Sequence, residues 1–318
     1  MAEIVLGLGS SHSPQLRIPA SQWSLLVEKD QKDSRIDYAG LLKQAKPGIE
    51  EELREEKMQV KYEATQKALD VLQGILREAA PDVLVVLGDD QHEQFLDSNM
   101  PMFCIFWGSL LTVVKRKREH QQGWLQAEDE GLSYTPKQWP AHPELAEQLI
   151  ASLVQQGFDV SCSNQLREDV GLGHAFSFIY RRLLPGADTP MLPVMLNTFY
   201  PPNQPTPRRC YAFGQALRAA IEGWKSDAKV AVIASGGLSH VILDEELDCR
   251  TIDGLMRKDR EQLCSLPAEK LRLGTSEIRN WIALGGAVEH LRMELIDYVP
   301  AYRSRAGTGC GMAFGQWR

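Results

Sequence analysis

Hydrophobic and polar positions divide the chain into two kinds of segment. Short, continuous apolar runs are typical of strands buried on both faces of a sheet, and longer stretches with apolar residues three or four positions apart predict helices that bury one side. The apolar runs fall at 4–8, 83–87, 102–106, 191–196 and 230–234. The helical patterns cover 48–79, 143–156, 176–184, 208–224, 244–263 and 276–284.

Strand and helix patterns alternate along most of the chain. This alternation predicts an α/β fold with a mainly parallel or mixed central sheet and helices on both faces. The proline-rich stretch at 200–207 is the one plausible linker, but it is short and lies between a predicted strand and a predicted helix. We therefore expect a surface crossover there, and a single domain over residues 1–318.

Composition and charge narrow the function classes. The chain is 43% hydrophobic and 24% charged, which is ordinary for a globular protein. Its net charge of −7 argues against nucleic acid as a partner, because such binding relies on clustered Lys and Arg, and the basic run at 115–118 is expected to be a solvated loop. Gly7 and Gly9 begin like a dinucleotide-binding fingerprint, but His12 stands where the third glycine belongs, so we expect no nucleotide site.

The chain carries no pattern of export or membrane insertion. It begins directly with a strand-like run, and its longest apolar stretch, 102–114, is shorter than the roughly 20 residues that span a bilayer. The six cysteines lack Cys-x-x-Cys spacing, which favours reduced structural thiols over a zinc site or a disulfide framework. We expect a cytoplasmic protein with no membrane partner, assembled as a homodimer.

Four of the seven histidines lie where apolar or glycine-rich segments break into polar turns: His12, His92, His174 and His240. Ligands of α/β sheets gather outside the carboxyl ends of the strands, and three of these histidines closely follow a predicted strand. The pattern therefore predicts one metal or acid/base centre, with a hydrogen-bonded structural imidazole as the alternative for each histidine. Ordinary structural or surface positions are expected for the other three, His120, His142 and His290.

A metal centre built from these histidines also needs a carboxylate. Two imidazoles and one carboxylate suit non-haem Fe(II) oxygen chemistry or a catalytic zinc. Asp89 and Asp90 stand close to His92, but neighbouring residues on an extended segment point to opposite sides, so at most one of them faces the centre. Glu277 is another candidate. It falls in the first turn of a predicted helix, where helix capping is the alternative role.

An ordered set of motifs connects these residues. SHSP stands at 11–14, GDDQH at 88–92, GLGH at 171–174, SGGLSH at 235–240 and EI at 277–278, with Trp281 following. The set resembles the class III extradiol ring-cleavage dioxygenases, the family of the protocatechuate 4,5-dioxygenase catalytic subunit, from residue 4 to about residue 312. The opening and closing segments are most similar to the methylgallate-type dioxygenases of lignin-derived aromatic catabolism.

The resemblance implies a role for each of five residues. His12, His92 and Glu277 would be the ligands of Fe(II), and His240 would be the acid/base residue. His174 would be a second active-site histidine near the substrate and O2, although its Gly-His-Ala context departs from the family's more typical Asp-His-Gly. With these residues, the protein would insert both atoms of O2 into a catecholic ring and open it beside the diol.

The substrate implied is an aromatic acid, either 3-O-methylgallate or a related lignin-derived compound. Gallate, protocatechuate and a biphenyl catechol are alternatives. In the tail segment 302–309, Arg303 could pair bidentately with a carboxylate and Ser304 could assist, with a polar surface turn as the other interpretation. A His2Glu zinc hydrolase remains an alternative although the chain lacks His-Glu-x-x-His, and so does a metal-free binding protein on the same fold.

Overall fold

A single large sheet organises the molecule. The computed structural model describes residues 1–114, 123 and 137–318, so the expectations for the basic run at 115–118 and for His120 fall outside the described residues. The strands are β1 (Glu3–Ser10), β2 (Val83–Asp89), β3 (Phe103–Phe106), β4 (Leu110–Val113), β5 (Lys137–Pro140), β6 (Ser161–Ser163), β7 (Met191–Leu196), β8 (Lys229–Ser235), β9 (His240–Ile242), β10 (Met293–Tyr302) and β11 (Thr308–Trp317).

Helices follow most of the strands. They are α1 (Pro14–Arg17), α2 (Ser24–Lys32), α3 (Tyr38–Lys43), α4 (Ile49–Glu52), α5 (Glu55–Ala79), α6 (Pro143–Gln155), α7 (His174–Phe178), α8 (Pro207–Glu222), α9 (Glu245–Arg257), α10 (Arg260–Cys264) and α11 (Ile278–Ala287). Short 3-10 turns lie at Ala20–Gln22 and Leu273–Glu277, and a π-helical turn at Ile179–Leu183 continues α7. Within the described residues, no helix combines the length and hydropathy needed to cross a bilayer.

The sheet is mixed. Its order is β10-β11-β1-β8-β2-β7-β3-β6, with β9 paired to β11. The inner strands β1, β8, β2 and β7 run parallel, whereas β11 is antiparallel to both β1 and β10. The predicted α/β fold with a mixed central sheet is therefore confirmed.

Both faces of the sheet are covered, as predicted. Alternate residues of β2 contribute to two separate cores, Val85 to one and Val86 to the other. Helices α6, α8 and α11 pack on the first face, and α5 and α7 pack on the second. Leu69 and Leu72 of α5 are fully buried, and each such leucine contributes roughly 1.5–3 kcal/mol of hydrophobic stabilisation.

The predicted elements differ from the structure mainly where the backbone breaks. The helical pattern at 48–79 forms two helices because Arg54 is extended, and the pattern at 244–263 forms two because Lys258 adopts a left-handed conformation, φ 57°. The structure also contains strands β4, β5, β6, β9, β10 and β11 and helices α1–α3, which were not predicted. All five continuous apolar runs are strands, within three residues at each end.

The topology gathers three strand ends at one rim. Strands β1, β8 and β2 are adjacent and parallel, so the segments that leave their carboxyl ends emerge side by side. Ser10 at the end of β1 pairs in register with Ser235 at the end of β8. His12, His240 and the loop that contains His92 follow these ends, which is where the sequence predicted a common centre.

Candidate metal centre

His12 is held so that one ring nitrogen faces a carboxylate. The side chain is 2% exposed, and its Nδ1 lies 3.0 Å from the Ser235 hydroxyl oxygen. Because that hydroxyl donates its own proton to the Ala175 carbonyl (2.6 Å), it accepts from His12, which places the imidazole proton on Nδ1. The lone pair of Nε2 is thereby left free, 3.7 Å from Oε2 of Glu277.

Glu277 reaches away from its own helix. It stands between the 3-10 turn and α11, and Oε2 accepts a hydrogen bond from the Gly237 backbone N–H (2.6 Å). Its side chain makes no capping hydrogen bond to α11 in the described structure, so the capping alternative is not realised. Burial, followed by the charge of Asp89, raises the pKa of Glu277 to about 8.

Asp89 is the last residue of β2 and is fully buried. Its Oδ2 accepts from Nε2 of Gln91 (3.0 Å) and lies 4.0 Å from Nε2 of His174. Its Oδ1 is buried and has no hydrogen-bond partner within the described part of the chain. Burial raises the pKa of Asp89, and the nearby His174 opposes that rise. A buried acceptor without a donor marks a position where an additional ligand fits.

His174 opens α7 and is oriented by a second carboxylate. Its backbone N–H donates to Oε1 of Glu93 (2.8 Å), and its Nδ1 lies 2.9 Å from Oε2 of the same carboxylate. Burial lowers the pKa of His174, but Glu93 and Asp89 outweigh burial and raise it to about 9. The ring meets that of His12 edge-on, with centroids 4.7 Å apart.

Three of these side chains form one compact group. His12, Asp89 and His174 each offer a ligand atom, and these atoms all lie within 4.8 Å of one another. Glu277 adjoins the group through its contact with His12. Imidazole nitrogens and carboxylate oxygens are suitable ligands for a divalent transition metal. The described residues therefore bring together His12, His174 and Glu277 from the predicted set, and add Asp89.

His92 lies elsewhere in the loop after β2. Its Nε2 is 3.0 Å from Oδ1 of Asp97, its ring stacks on Tyr200 at 3.8 Å, and its side chain is 33% exposed. Asp90 faces the loop backbone and accepts from the N–H groups of Gln94 and Phe95. This confirms that at most one of the two adjacent aspartates faces the centre. The role of His92 as a metal ligand stays a prediction.

His240 is the first residue of β9 and lines a cleft. Its Nδ1 is 2.7 Å from the sulfur of Cys310, which in turn is 2.9 Å from the hydroxyl of Ser13. Its backbone N–H donates to Oγ1 of Thr275 (2.9 Å). Burial, assisted by the charges of Arg303 and other cations, lowers the pKa of His240 well below its ordinary value, so the imidazole is neutral near pH 7.

The cleft that His240 lines is a candidate entry for a substrate. It has a volume of about 490 Å³ and is lined by residues that include Arg35, Lys270 and Arg272. Lys270 pairs with Asp244 (2.8 Å), and Arg35 pairs with Asp33 outside the lining. This volume lies within the range of about 300–1,000 Å³ that small-molecule clefts occupy.

Arg303 and Ser304 are buried and bonded to other groups of the protein. Arg303 donates from Nε and Nη2 to the two oxygens of Asp30 and from Nη1 to Oε1 of Gln15. The Ser304 hydroxyl lies 2.7 Å from that of Thr308. Their predicted role in substrate binding stays a prediction.

Several supporting residues carry no local sequence signal. Glu93, Ser235 and Cys310 each fix a histidine of the site, yet none stands in a spacing that predicts this role. His142, for which an ordinary position was expected, caps α6, because its Nδ1 accepts from the Leu145 N–H.

Imidazoles and carboxylates gathered at the carboxyl ends of parallel strands define a candidate metal centre of an α/β enzyme. The chain belongs to the family described as the catalytic LigB subunit of aromatic ring-opening dioxygenase, which matches residues 47–311. The resemblance read from the sequence motifs is thereby confirmed.

Similar proteins are named as dioxygenases of aromatic acids. The chain is 33% identical over 161 residues to gallate dioxygenase of Pseudomonas putida, which covers 46% of each protein. It is 30% identical over 183 residues to the 2,3-dihydroxyphenylpropionate/2,3-dihydroxicinnamic acid 1,2-dioxygenase of Comamonas testosteroni, covering 56% of this chain and 49% of the relative. The chain thus spans about half the length of the curated relatives it matches.

Proposed function

We propose that the protein is an Fe(II)-dependent extradiol dioxygenase that inserts both atoms of O2 into the ring of a catecholic aromatic acid. The observation that carries the proposal is the buried group of imidazoles and carboxylates at the strand ends of a LigB family member. The donor set fits a ferrous ion, and the buried Oδ1 of Asp89 offers an acceptor with no other partner among the described residues.

His12 and Glu277 are proposed to hold the metal through the free Nε2 and the carboxylate. A third ligand is proposed at the end of β2 or in the loop after it, where the sequence predicts His92. A ferrous ion held there would supply open coordination positions for a catecholic diol and O2.

His240 is proposed to be the base of the reaction. Its neutral imidazole accepts a phenolic proton as the diol binds and returns a proton when the ring opens. Its Nδ1 faces the sulfur of Cys310, so Nε2 is the nitrogen available to the substrate. The cleft of about 490 Å³ gives the substrate access to this ring.

His174 is proposed to act as a cationic donor. The carboxylates of Glu93 and Asp89 raise its pKa, which favours the cationic imidazole, and Glu93 holds Nδ1 so that Nε2 faces the metal group. A buried imidazolium stabilises negative charge that develops on oxygen next to it.

The substrate is proposed to be 3-O-methylgallate or a related lignin-derived aromatic acid. Relatives named for gallate and for dihydroxyphenylpropionate support an acid with neighbouring ring hydroxyls. Arg303 and Ser304 are the carboxylate anchors predicted from the sequence. Arg272, which lines the cleft, offers a second cation for this role. Raised KM for the acid but not for a neutral catechol in Arg303→Ala or Arg272→Ala identifies the anchor.

Oxygen uptake tests the proposed function. Protein loaded with Fe(II) without air is mixed with gallate, 3-O-methylgallate, protocatechuate and a biphenyl catechol, and O2 consumption is compared with ring loss. We expect one O2 per ring opened with at least one acid. Iron-loaded protein that consumes no O2 with any of the four, or zinc-loaded protein that hydrolyses a substrate without O2, would contradict the proposal and favour a zinc hydrolase.

The proposal includes a cytoplasmic homodimer. The six cysteines of the chain are free thiols, which supports a reducing compartment. Light scattering during size-exclusion chromatography measures the assembly, and a mass of one chain would contradict the dimer.

A further inference from the structure

The end of β2 and the loop after it contain two residues that could complete the metal centre. Asp89 ends the strand, and His92 follows three positions later. The two residues have opposite environments, since Asp89 is fully buried in the compact group whereas the His92 side chain is one-third exposed.

His92 is fixed in its present place by several contacts. Its ring nitrogen binds Asp97 and its ring stacks on Tyr200. The loop itself is anchored, because the Asp90 carboxylate accepts two of its backbone N–H groups and the Gln94 side chain donates to the Gly171 carbonyl (2.6 Å). Bringing His92 to the group would therefore require rearrangement of the loop and not only a change of rotamer.

Asp89 already has the position and the free acceptor of a ligand. Its carboxylate lies within 4.8 Å of ligand atoms of His12 and His174, and its Oδ1 is buried with no hydrogen-bond partner within the described ranges. Gln91 donates to the other oxygen, which orients the carboxylate as residues behind metal ligands commonly do.

We propose that Asp89, and not His92, completes the metal centre with His12 and Glu277. The inference rests on the proposed function in that it requires a metal at this site. Two carboxylates carry the charge that balances a divalent cation, which favours them as ligands at a buried site, where an uncompensated charge is costly. A ligand set of one imidazole and two carboxylates is harder than a His2Glu set, so Mn(II) competes better with Zn(II).

Metal binding by the full chain tests the inference without substrate or O2. Asp89→Asn and His92→Ala are compared with the parent, and Asp97→Asn serves as a control for the change of carboxylate to amide. Fe(II) and Co(II) are added anaerobically, their dissociation constants are measured by chelator competition, and the Co(II) absorption bands are recorded.

Asp89→Asn is expected to raise both dissociation constants more than about 100-fold, beyond the loss that follows removal of a residue that only orients a ligand. His92→Ala and Asp97→Asn are expected to stay within about threefold of the parent, with unchanged Co(II) bands. Asparagine is isosteric and removes a desolvated charge, so the metal-free variant should melt no lower than the parent, which separates ligand loss from misfolding.

Other outcomes overturn the inference. Asp89→Asn with parental affinity removes Asp89 from the centre, and His92→Ala with a loss of about 100-fold restores His92 as a ligand. A parent that binds neither ion also overturns it. A parent that binds Fe(II) as expected but consumes no O2 with any catechol contradicts the proposed function and leaves the assignment of Asp89 standing.

Discussion

Gly274→Ala tests whether the position of His240 controls turnover. A methyl group at Gly274 would lie 2.1 Å from Cδ2 and 2.6 Å from Cβ of His240, far inside van der Waals contact. The side chain cannot yield by rotating its tip alone, because the contact reaches Cβ. The backbone is also held, since Thr275 binds the His240 N–H and β9 pairs with β11 at Cys310.

The size of the effect follows from the displacement. Restoring an ordinary contact requires His240 and Gly274 to separate by about 1 Å, and a misplacement of that size at a catalytic group costs about 100-fold in rate. We therefore expect kcat to fall about 100-fold, or about 2.7 kcal/mol in activation free energy. Metal content should be unchanged, because the three atoms nearest to the new methyl group all belong to His240 and none to His12 or Glu277.

Steady-state oxygen uptake and bound iron are measured on the same preparations. Gly74→Ala is the matched control, because a methyl group there meets nothing within 4 Å and the residue lies in helix α5. It should keep parental kcat and gain about 0.5–1 kcal/mol of stability. Gly274→Ala with kcat within about threefold of the parent would refute the reasoning, and so would a loss of activity that is explained by lost iron.

Three further changes probe the surrounding network. Cys310→Ala removes the partner of His240 Nδ1 and should lower kcat about tenfold and shift the pH profile of kcat. Cys310→Ser should restore most of the lost kcat. An unchanged pH profile in Cys310→Ala contradicts this role. Asp30→Asn leaves Arg303 buried without its counter-ion and should cost about 3–5 kcal/mol in urea unfolding, whereas a raised KM without loss of stability would point to a substrate role for Arg303. Burial raises the pKa of Asp248 to about 6, so the parent loses up to about 3 kcal/mol of stability as pH rises from about 4 to 6. Asp248→Asn should abolish this loss. If the difference in unfolding free energy between variant and parent is the same at pH 4.5 and pH 7, titration of Asp248 is excluded as its cause.

The sheet, and the rim where the carboxyl ends of β1, β8 and β2 meet, were predictable because they depend on continuous apolar runs. Such runs mark strands that are buried on both faces, and parallel strands bring their carboxyl ends to one edge. The strand ends before His12 and His240 were found this way. Strands β10 and β11 were missed because their glycines and charged positions interrupt the apolar pattern.

The details of the site depend on contacts that no local pattern encodes. Asp89 and His92 stand three positions apart, and which of them lies near His12 and His174 depends on the loop conformation, including φ 61° at His92. Arg303 was predicted to pair with a substrate carboxylate, whereas its partner in the structure is Asp30, 273 positions earlier in the chain. A pairing at that separation depends on the folded topology and leaves no spacing to detect.

Because the proposed metal centre contains two buried carboxylates, Asp89 and Glu277, we expect metal supply to affect how much of the protein persists in a cell. Burial raises the pKa of both, and the charge of Asp89 raises that of Glu277 further, so the unloaded fold carries an electrostatic penalty that a bound cation would remove. At a free metal concentration 100 times the dissociation constant, loading alone adds about 2.7 kcal/mol to the stability of the native state. Iron-starved cells should therefore degrade the chain faster than iron-replete cells, and abundance would follow nutrient status without any change in transcription.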